Sequence, residues 1–241
     1  MRCVNNKGGA VKKLDESLLT GLPPFRALTR PEIREILDVA QSVRYGAGQA
    51  VFSEGLAVER FFLLLDGHIR VQRLTAAGDQ IIVHHIAPGQ LFGIGAALGH
   101  ATYPATAVAA DECIVLAWPN RLWPDFAGRY QGFATETYRV VGERLNDMHN
   151  VIVDMATKHV EQRVAGAVLR LITQMGRKVE HGIEIDFPIT RQNISDMTGT
   201  TLHTVSRLLS AWEKAGIVES GRKRITVTAP HELVLLSGAA G

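Results

Sequence analysis

The sequence predicts an α+β fold with an N-terminal antiparallel β-roll, a long dimerisation helix and a C-terminal winged helix-turn-helix. Three observations predict it: β-rich runs separated by glycines at 42–118, a heptad pattern at 134–155, and two short helical patterns around a glycine at 190–214. We divide the chain into a flexible tail (1–14), a β-roll (15–130), a coiled-coil helix (131–158) and a winged helix-turn-helix domain (159–241).

Composition excludes several classes of protein. A chain of 241 residues can bury the cores of two domains. Its net charge of only +2 barely argues for nucleic-acid binding. There is no run of 18 apolar residues and no charged-then-apolar signal at the N-terminus, so we expect no membrane partner and a cytoplasmic location. Two cysteines, Cys3 and Cys113, are too few for a disulfide framework or a four-cysteine metal site, and we expect free thiols.

The N-terminal half begins with a short helix and continues as strands. Pro31 is expected at the first position of the helix, with Thr29 before it and an end near Ala40. From Ser42 to Trp118, glycine turns between regular β-rich runs predict a small antiparallel barrel or sandwich. Such a barrel either holds a small ligand or is filled by its own side chains, and the sequence leaves both alternatives open.

The central helix carries a coiled-coil seam. Its apolar residues recur at alternating steps of four and three, which is the a/d pattern of a heptad repeat. Because the chain has no second heptad helix, we predict that the seam pairs with the same helix of a second subunit; packing on its own barrel is the alternative. After Ala134, the predicted interface residues are Tyr138, Val141, Leu145, Met148, Ile152 and Met155.

The C-terminal part reads as helix, strand, two helices and a wing. An amphipathic helix runs from Val160 to a stop at Gly176, GIEIDFPI follows as a strand, and IVESGRKRITVT is typical of a hairpin. The basic run Arg222-Lys223-Arg224 lies within that hairpin. This order of elements predicts a winged-helix module with a locally basic surface.

The helix-turn-helix prediction rests on caps and spacing. Thr190 and Thr201 are placed to cap two helices, and Gly199 supplies the permissive backbone of a sharp turn. Small Ser195 lets the helices approach, and Val205 packs between them. This is the spacing of a DNA-binding motif, although a two-helix hairpin of any other protein is the alternative. The residues directed away from the apolar face are His203, Ser206, Arg207 and Ser210.

From about Pro31 to about Leu236 the chain resembles the Crp-Fnr superfamily of transcription regulators. The resemblance is carried, in order, by RYGAGQAVFSEG, ERFFLLLDGHIRVQRLT, APGQLFG, YPATAVA, VEQRV and TRQNISDMTGTTLHTVSRLL. It implies a cyclic-nucleotide-binding-like β-roll in a regulator that is not an enzyme. It also implies three partners: double-stranded DNA, a second copy of the chain and RNA polymerase.

The resemblance also implies DNA contacts. Arg207 matches the family arginine, whose guanidinium can take guanine O6 and N7 together, and Ser206 resembles a base-contacting serine. His203 stands where many members carry a glutamate that reads cytosine, so a different base is expected at that step. The site should be an imperfect palindrome with half-sites about one helical turn apart. Phosphate contacts are expected from Thr190, Arg191, Thr201, Arg222 and Lys223.

The effector is expected to differ from cyclic AMP. Members that bind it carry a glutamate after the glycine of the phosphate turn and an arginine before a Ser/Thr-Ala pair, whereas this chain has Gly93-Ile94 and Ala105-Thr106-Ala107. A buried cyclic phosphate would therefore lack its partners. An iron–sulfur cluster is not expected either, because its cysteine set is missing. The predicted effector pocket consists of Gly93, Ile94, Ala105, Thr106, His84, Met148 and His149.

The run TTLHTVSRLLSAWE resembles the nitrite and nitric oxide reductase regulators. This branch implies control of denitrification or low-oxygen genes by nitric oxide or a related redox cue. The alternatives are another small-molecule effector in the β-roll, or an effector-binding module that binds protein instead of DNA.

Some sensors of this superfamily bind haem through histidine, so the cofactor stays open between haem and none. His84 and His85 are neighbours on a predicted strand, so one should point into the barrel and the other away. A cupin-type metal enzyme is a further rival, but the required set of two histidines and a carboxylate is missing, and we expect no metal site. The candidate haem ligands are His68, His84, His85, His100 and His149, each with an ordinary structural role as the alternative.

Overall fold

A computed structural model describes residues 14–238; the predicted tail therefore lies almost wholly outside the described residues, as does Cys3. Two short 3₁₀ turns, Glu16–Leu18 and Pro23–Phe25, precede helix α1, Arg30–Asp38. Thr29 caps α1, and its backbone N–H donates to the Glu32 carboxylate at 2.7 Å. The helix thus begins one residue before Pro31 and ends two residues before Ala40.

Antiparallel strands form the predicted β-roll as two facing sheets of four strands each within the described part of the chain. The strands are β1 (Gln41–Tyr45), β2 (Ala50–Phe52), β3 (Arg60–Asp66), β4 (Ile69–Leu74), β5 (Gln80–Ile86), β6 (Leu91–Phe92), β7 (Thr106–Ala109) and β8 (Cys113–Pro119). The sheet orders are β1-β8-β3-β6 and β2-β7-β4-β5, and all pairs are antiparallel. This confirms the β-roll.

A short helix, α2 (Trp123–Arg129), leads into the long helix α3 (Gln131–Thr157). The first turns of α3 pack on the β-roll, where Phe133 and Thr137 are buried and Val141 contacts the same apolar core. From there to its C-terminus, α3 projects an apolar stripe that its own chain leaves largely exposed.

The winged-helix domain contains the predicted elements and two that the sequence analysis missed. Its elements are α4 (Val160–Met175), β9 (Gly176–Val179), β10 (Gly182–Ile185), α5 (Arg191–Thr198), α6 (Leu202–Lys214), β11 (Val218–Gly221), β12 (Arg224–Val227) and α7 (Pro230–Leu236). The sheet order β11-β12-β10-β9 joins the wing to a hairpin. The strand β9 and the helix α7 were not predicted. Gly176 ends α4 as expected, but in extended backbone (φ −91°) that begins β9.

The winged-helix domain docks on the β-roll of the same chain. The ring of Phe187, which follows β10, lies between two imidazoles of the β-roll, 5.0 Å from the His68 centroid and 4.9 Å from that of His85. Helix α5 runs alongside β5. Among residues 14–238, we find no helix that is both long and apolar enough to cross a membrane.

Candidate nucleic-acid interface and effector site

The turn between α5 and α6 is built by the residues that the sequence analysis singled out. The Thr190 hydroxyl accepts a hydrogen bond from the Asn193 amide at 3.1 Å, and the Thr201 hydroxyl accepts one from the Thr204 amide at 3.1 Å. Each bond satisfies an amide that the first turn of a helix leaves without a partner. Between the helices, Gly199 adopts the left-handed conformation, with φ +60° and ψ +35°.

The angle between α5 and α6 is fixed by buried contacts. Ser195 does more than provide space, because its hydroxyl donates to the Thr200 carbonyl at 2.6 Å across the turn. Val205 is fully buried between the helices, and Trp212 is buried further along α6, where its indole N–H donates to Glu161 at 3.1 Å. Because the inner face of α6 is held in this way, its opposite face has a defined direction.

Replacing Gly199 should destabilise the turn selectively. A Cβ at this position would meet only the Met155 terminal methyl at 3.8 Å, so the cost of Gly199→Ala is the left-handed backbone itself, about 1 kcal/mol of unfolding free energy. As a matched control, Gly128→Ala lies at an exposed position of helix α2 with nothing within 4 Å of its Cβ and should stabilise by about 0.5–1 kcal/mol. Urea denaturation followed by circular dichroism measures both changes, and equal effects would contradict this role of Gly199.

The outer face of α6 presents the predicted base-reading residues. His203 and Arg207 are exposed and lie one helical turn apart, and Ser206 beside them is partly exposed. Within residues 14–238, Arg207 makes no ion pair and no hydrogen bond. Its planar set of N–H donors is therefore available to a partner outside the chain.

Around this face lie the residues predicted to contact phosphate. Arg222 and Lys223 form the exposed tip of the wing, where Lys223 has a φ of +56°. Arg191, at the start of α5, is 3.4 Å from the Glu213 carboxylate, so part of its charge is engaged within the domain. The hydroxyls of Thr190 and Thr201 already serve as helix caps. A recess between the wing and the starts of α5 and α6 is lined by three of these residues, Thr190, Arg191 and Lys223.

The predicted dimer seam is exposed along most of α3. Val141 is the exception, since it packs on the core of its own β-roll. Met155 reaches the helix-turn-helix, where its methyl group approaches Gly199. The exposed fractions of the other five side chains are 48% for Tyr138, 53% for Leu145, 45% for Met148, 62% for Ile152 and 46% for Met155. A stripe of this kind is typical of a helix that pairs with another apolar surface.

The seven residues of the predicted effector pocket do not share one cavity. Gly93, with φ +66°, lies where a Cβ would be 2.9 Å from Phe62 and 3.1 Å from Phe52. The ring of Phe52 in turn stacks on that of Tyr103 at 3.9 Å. The interior of the roll beside Gly93 is thus filled by its own aromatic side chains, the second of the two alternatives left open by the sequence.

The remaining pocket residues lie in other places. Ile94 and Ala105 are buried, and the Thr106 hydroxyl accepts from the Glu54 amide at 3.0 Å. His84 and Met148 line a separate cavity of about 190 Å³ between β5, α3, α4 and α5. His149 is exposed on α3.

The histidines of the β-roll are held neutral or hydrogen-bonded. The His68 Nδ1 atom lies 2.9 Å from the Asp111 carboxylate. Burial, and to a smaller extent nearby positive charge from Arg144 for His84 and from Arg70 for His85, lowers the pKa of each imidazole to about 3. His85 is covered by Phe187 and is only 4% exposed, which strand alternation alone did not predict.

His100, the remaining candidate, is exposed on the surface. In the described part of the chain, histidine, cysteine and carboxylate side chains form no group of three or more that fits a metal ion.

Arg144 is a notable side chain that the sequence analysis missed. It precedes Leu145 on α3, outside the heptad seam, and nothing in its local sequence marks it. In the structure its guanidinium turns inward and donates to the Leu91 carbonyl at 2.8 Å. Only the packing of α3 across the β-roll, a long-range feature, reveals this position.

Comparison with known proteins agrees with this architecture. Residues 42–130 match the cyclic nucleotide-binding domain family, and residues 162–236 match the Crp-like helix-turn-helix domain family. The chain is 26% identical to the electron transport regulator A of Shewanella oneidensis, over 97% of this chain and 93% of that one. It is 27% identical to the fumarate and nitrate reduction regulatory protein of Vibrio cholerae, over 98% and 94%.

Among solved structures, FixK2 from Bradyrhizobium japonicum shares the fold with a TM-score of 0.74 at 24% identity, over 84% of this chain and 100% of that one. A CRP family transcriptional regulator from Thermus thermophilus, TTHB099, does so with a TM-score of 0.70 at 20% identity, over 81% and 96%. The two matched families and the regulators among the relatives place the chain among DNA-binding transcription regulators and not among enzymes. The chain belongs to the Crp-Fnr family.

Proposed function

We propose that the protein is a homodimer that binds an imperfect palindrome in the cytoplasm and acts there with RNA polymerase. The genes that it controls are those of nitrogen-oxide or low-oxygen metabolism, and the signal to which it responds is nitric oxide or a related redox cue. Two paired α3 helices would place one α6 in each of two successive major grooves, which fixes the half-site spacing at about one helical turn.

The observation that carries the proposal is the outer face of α6. Arg207 stands exposed and without a partner in the described chain, and His203 is exposed one turn before it. A free guanidinium on the solvent side of a recognition helix suits bidentate binding to guanine. The wing with Arg222 and Lys223 suits phosphate contacts that fix the register on the duplex.

The choice of signal is supported by the relatives and by cysteine chemistry. Several relatives are named fumarate and nitrate reduction regulatory proteins, from Vibrio cholerae, Salmonella and Escherichia coli. A cluster held by four cysteine thiolates does not suit a chain with two cysteines. Burial raises the pKa of the Cys113 thiol to about 11, so this thiol stays protonated. We therefore place the redox response elsewhere than on a cysteine-bound cluster.

The test is to sequence the genomic DNA fragments that the purified protein retains, with and without nitric oxide under anaerobic conditions. We expect one palindromic motif, enriched upstream of nitrogen-oxide or respiratory genes, with retention that changes at least tenfold when nitric oxide is added. Retention without any motif would overturn the DNA-reading part of the proposal. A motif whose occupancy is the same with and without nitric oxide would overturn only the proposed signal.

A further inference from the structure

Two adjoining cavities lie where the β-roll, α3 and the winged-helix domain meet. One, of about 190 Å³, has mainly apolar walls from Ile81, Val83, Met148, Val151, Leu171 and Met197. The other, of about 140 Å³, is more polar and is lined by Arg144 and Gln90. The two cavities share the side chains of His84, His85, Asp147 and Gln174.

The polar cavity contains an arginine without a carboxylate partner. Arg144 donates to the Leu91 carbonyl at 2.8 Å and to the Gln90 side-chain oxygen at 3.4 Å, while its Nε is buried with no hydrogen bond. No carboxylate among residues 14–238 lies within 4.0 Å of it. Burial lowers the pKa of Arg144 to about 10, which still leaves it charged at neutral pH. The residue as a whole is only partly exposed, and charges largely shielded from water are normally paired, so this cation lacks a counter-charge.

Two more polar atoms at the same place lack partners. The Nε2 atoms of His84 and His85 are both buried without a hydrogen bond. Three nitrogens around one pair of cavities therefore have hydrogen-bonding capacity that the described chain does not use, which suits a polar ligand.

The other charges at the cavities are already engaged within the protein. Asp147 accepts a hydrogen bond from the Gln174 amide at 2.8 Å, and Glu143 is paired with Arg139. On the apolar side, Arg170 donates to Asp154 at 2.9 Å. Arg144 is thus the cation of this site that remains without an anion.

We propose that the two cavities together bind a small organic carboxylate, whose anionic group lies on Arg144 and whose apolar part lies between β5, α3 and α5. A guanidinium binds a planar carboxylate through two parallel hydrogen bonds. An apolar cavity of about 150 Å³ is known to hold a benzene ring, so a space of about 190 Å³ suits one ring or a short alkyl chain. Pairing of α3 with a second copy would cover the open side of this cavity.

A ligand in this position touches all three parts of the molecule at once. It would contact β5 of the sensor, Met148 of the dimer helix and Met197 of α5, and so favour the docked arrangement of the winged-helix domain. This regulatory consequence rests on the proposed function, since it assumes that the position of α5 and α6 matters for DNA. The occupancy of the cavities does not depend on it.

The test is calorimetric titration of the full chain, without DNA, at matched ionic strength. The probes are hexanoate, acetate, nitrate and hexan-1-ol. We expect hexanoate to bind at least tenfold more tightly than acetate or nitrate, because these two anions lack the apolar part. Hexanoate should also bind at least tenfold more tightly than hexan-1-ol, because the alcohol lacks the charge. Arg144→Gln should weaken hexanoate binding at least tenfold, and the control Arg129→Gln, which removes an exposed arginine of α2 that lines neither cavity, should leave it unchanged.

A second variant keeps the test decisive if Arg144→Gln fails to fold. Ile81 is 42% exposed at the rim of the apolar cavity, so Ile81→Phe should fold and should weaken hexanoate binding while leaving acetate unaffected. Equal affinities for hexanoate and acetate, or no heat of binding with any probe, would overturn the proposal. The two cavities would then be interpreted as sites for water. The titration contains no DNA, so its outcome does not depend on the proposed function. Loss of motif selection in the DNA-sequencing experiment would overturn the proposed function and would not change the titration.

Discussion

Arg207→Ala should relax the preference for one G·C pair in each half-site while leaving the rest of the motif unchanged. The wild-type guanidinium is exposed and has no partner within the described chain, so nothing in the domain competes with guanine for it. Loss of a bidentate contact costs roughly 1–3 kcal/mol of discrimination against the wrong base, or about 5- to 150-fold. A binding selection on randomised half-sites measures this directly.

The matched control for Arg207 is an arginine of the wing. Arg222→Ala removes the same charge from a position expected to contact phosphate, so it should weaken binding to every sequence alike. It should also reduce the slope of log K against log salt by about 1. If Arg207→Ala behaved like Arg222→Ala, with an unchanged motif and a uniform loss, Arg207 would be a phosphate contact and not a base reader.

Features fixed by neighbouring residues could be predicted from the sequence. The caps Thr190 and Thr201 and the left-handed Gly199 depend on hydrogen bonds and torsions within one or two turns, and all three are present as expected. The β-roll was predictable for a related reason, since strand alternation and glycine turns are also local. Strand β9 was missed because GRKV is polar and short, and its pairing with β10 provides the missing stabilisation.

Features that depend on distant segments could not be predicted. Nothing near His68 or His85 indicates that Phe187, more than 100 residues further on, will lie between them. The residues of the predicted effector pocket lie in several places for the same reason, since distant segments decide which of them meet. Phe52, which fills the space beside Gly93, lies on a strand far away in sequence. Burial of Arg144 likewise follows from the path of α3 across the β-roll and not from its heptad position.

Ile152→Asp should convert the proposed dimer to a monomer and lower the affinity for the palindrome by about 10²- to 10⁴-fold. Ile152 is 62% exposed in the single chain, so the charge should not disturb the fold of the protomer. In a paired seam, however, the carboxylate would be buried without a partner. The two α6 helices would then bind their half-sites independently and lose the effective concentration that tethering provides.

Val153→Asp is the control for the seam, because Val153 is 56% exposed on the same turn of α3 but lies outside the a/d positions. It should remain dimeric and bind the palindrome as the wild type does. Sedimentation equilibrium and titration of a labelled palindrome, performed on both variants, separate assembly from DNA contact. A monomeric Ile152→Asp protein with unchanged affinity would show that one protomer suffices. An Ile152→Asp protein that remained fully dimeric would instead show that the dimer interface lies elsewhere. The exposed stripe of α3 would then bind a different partner.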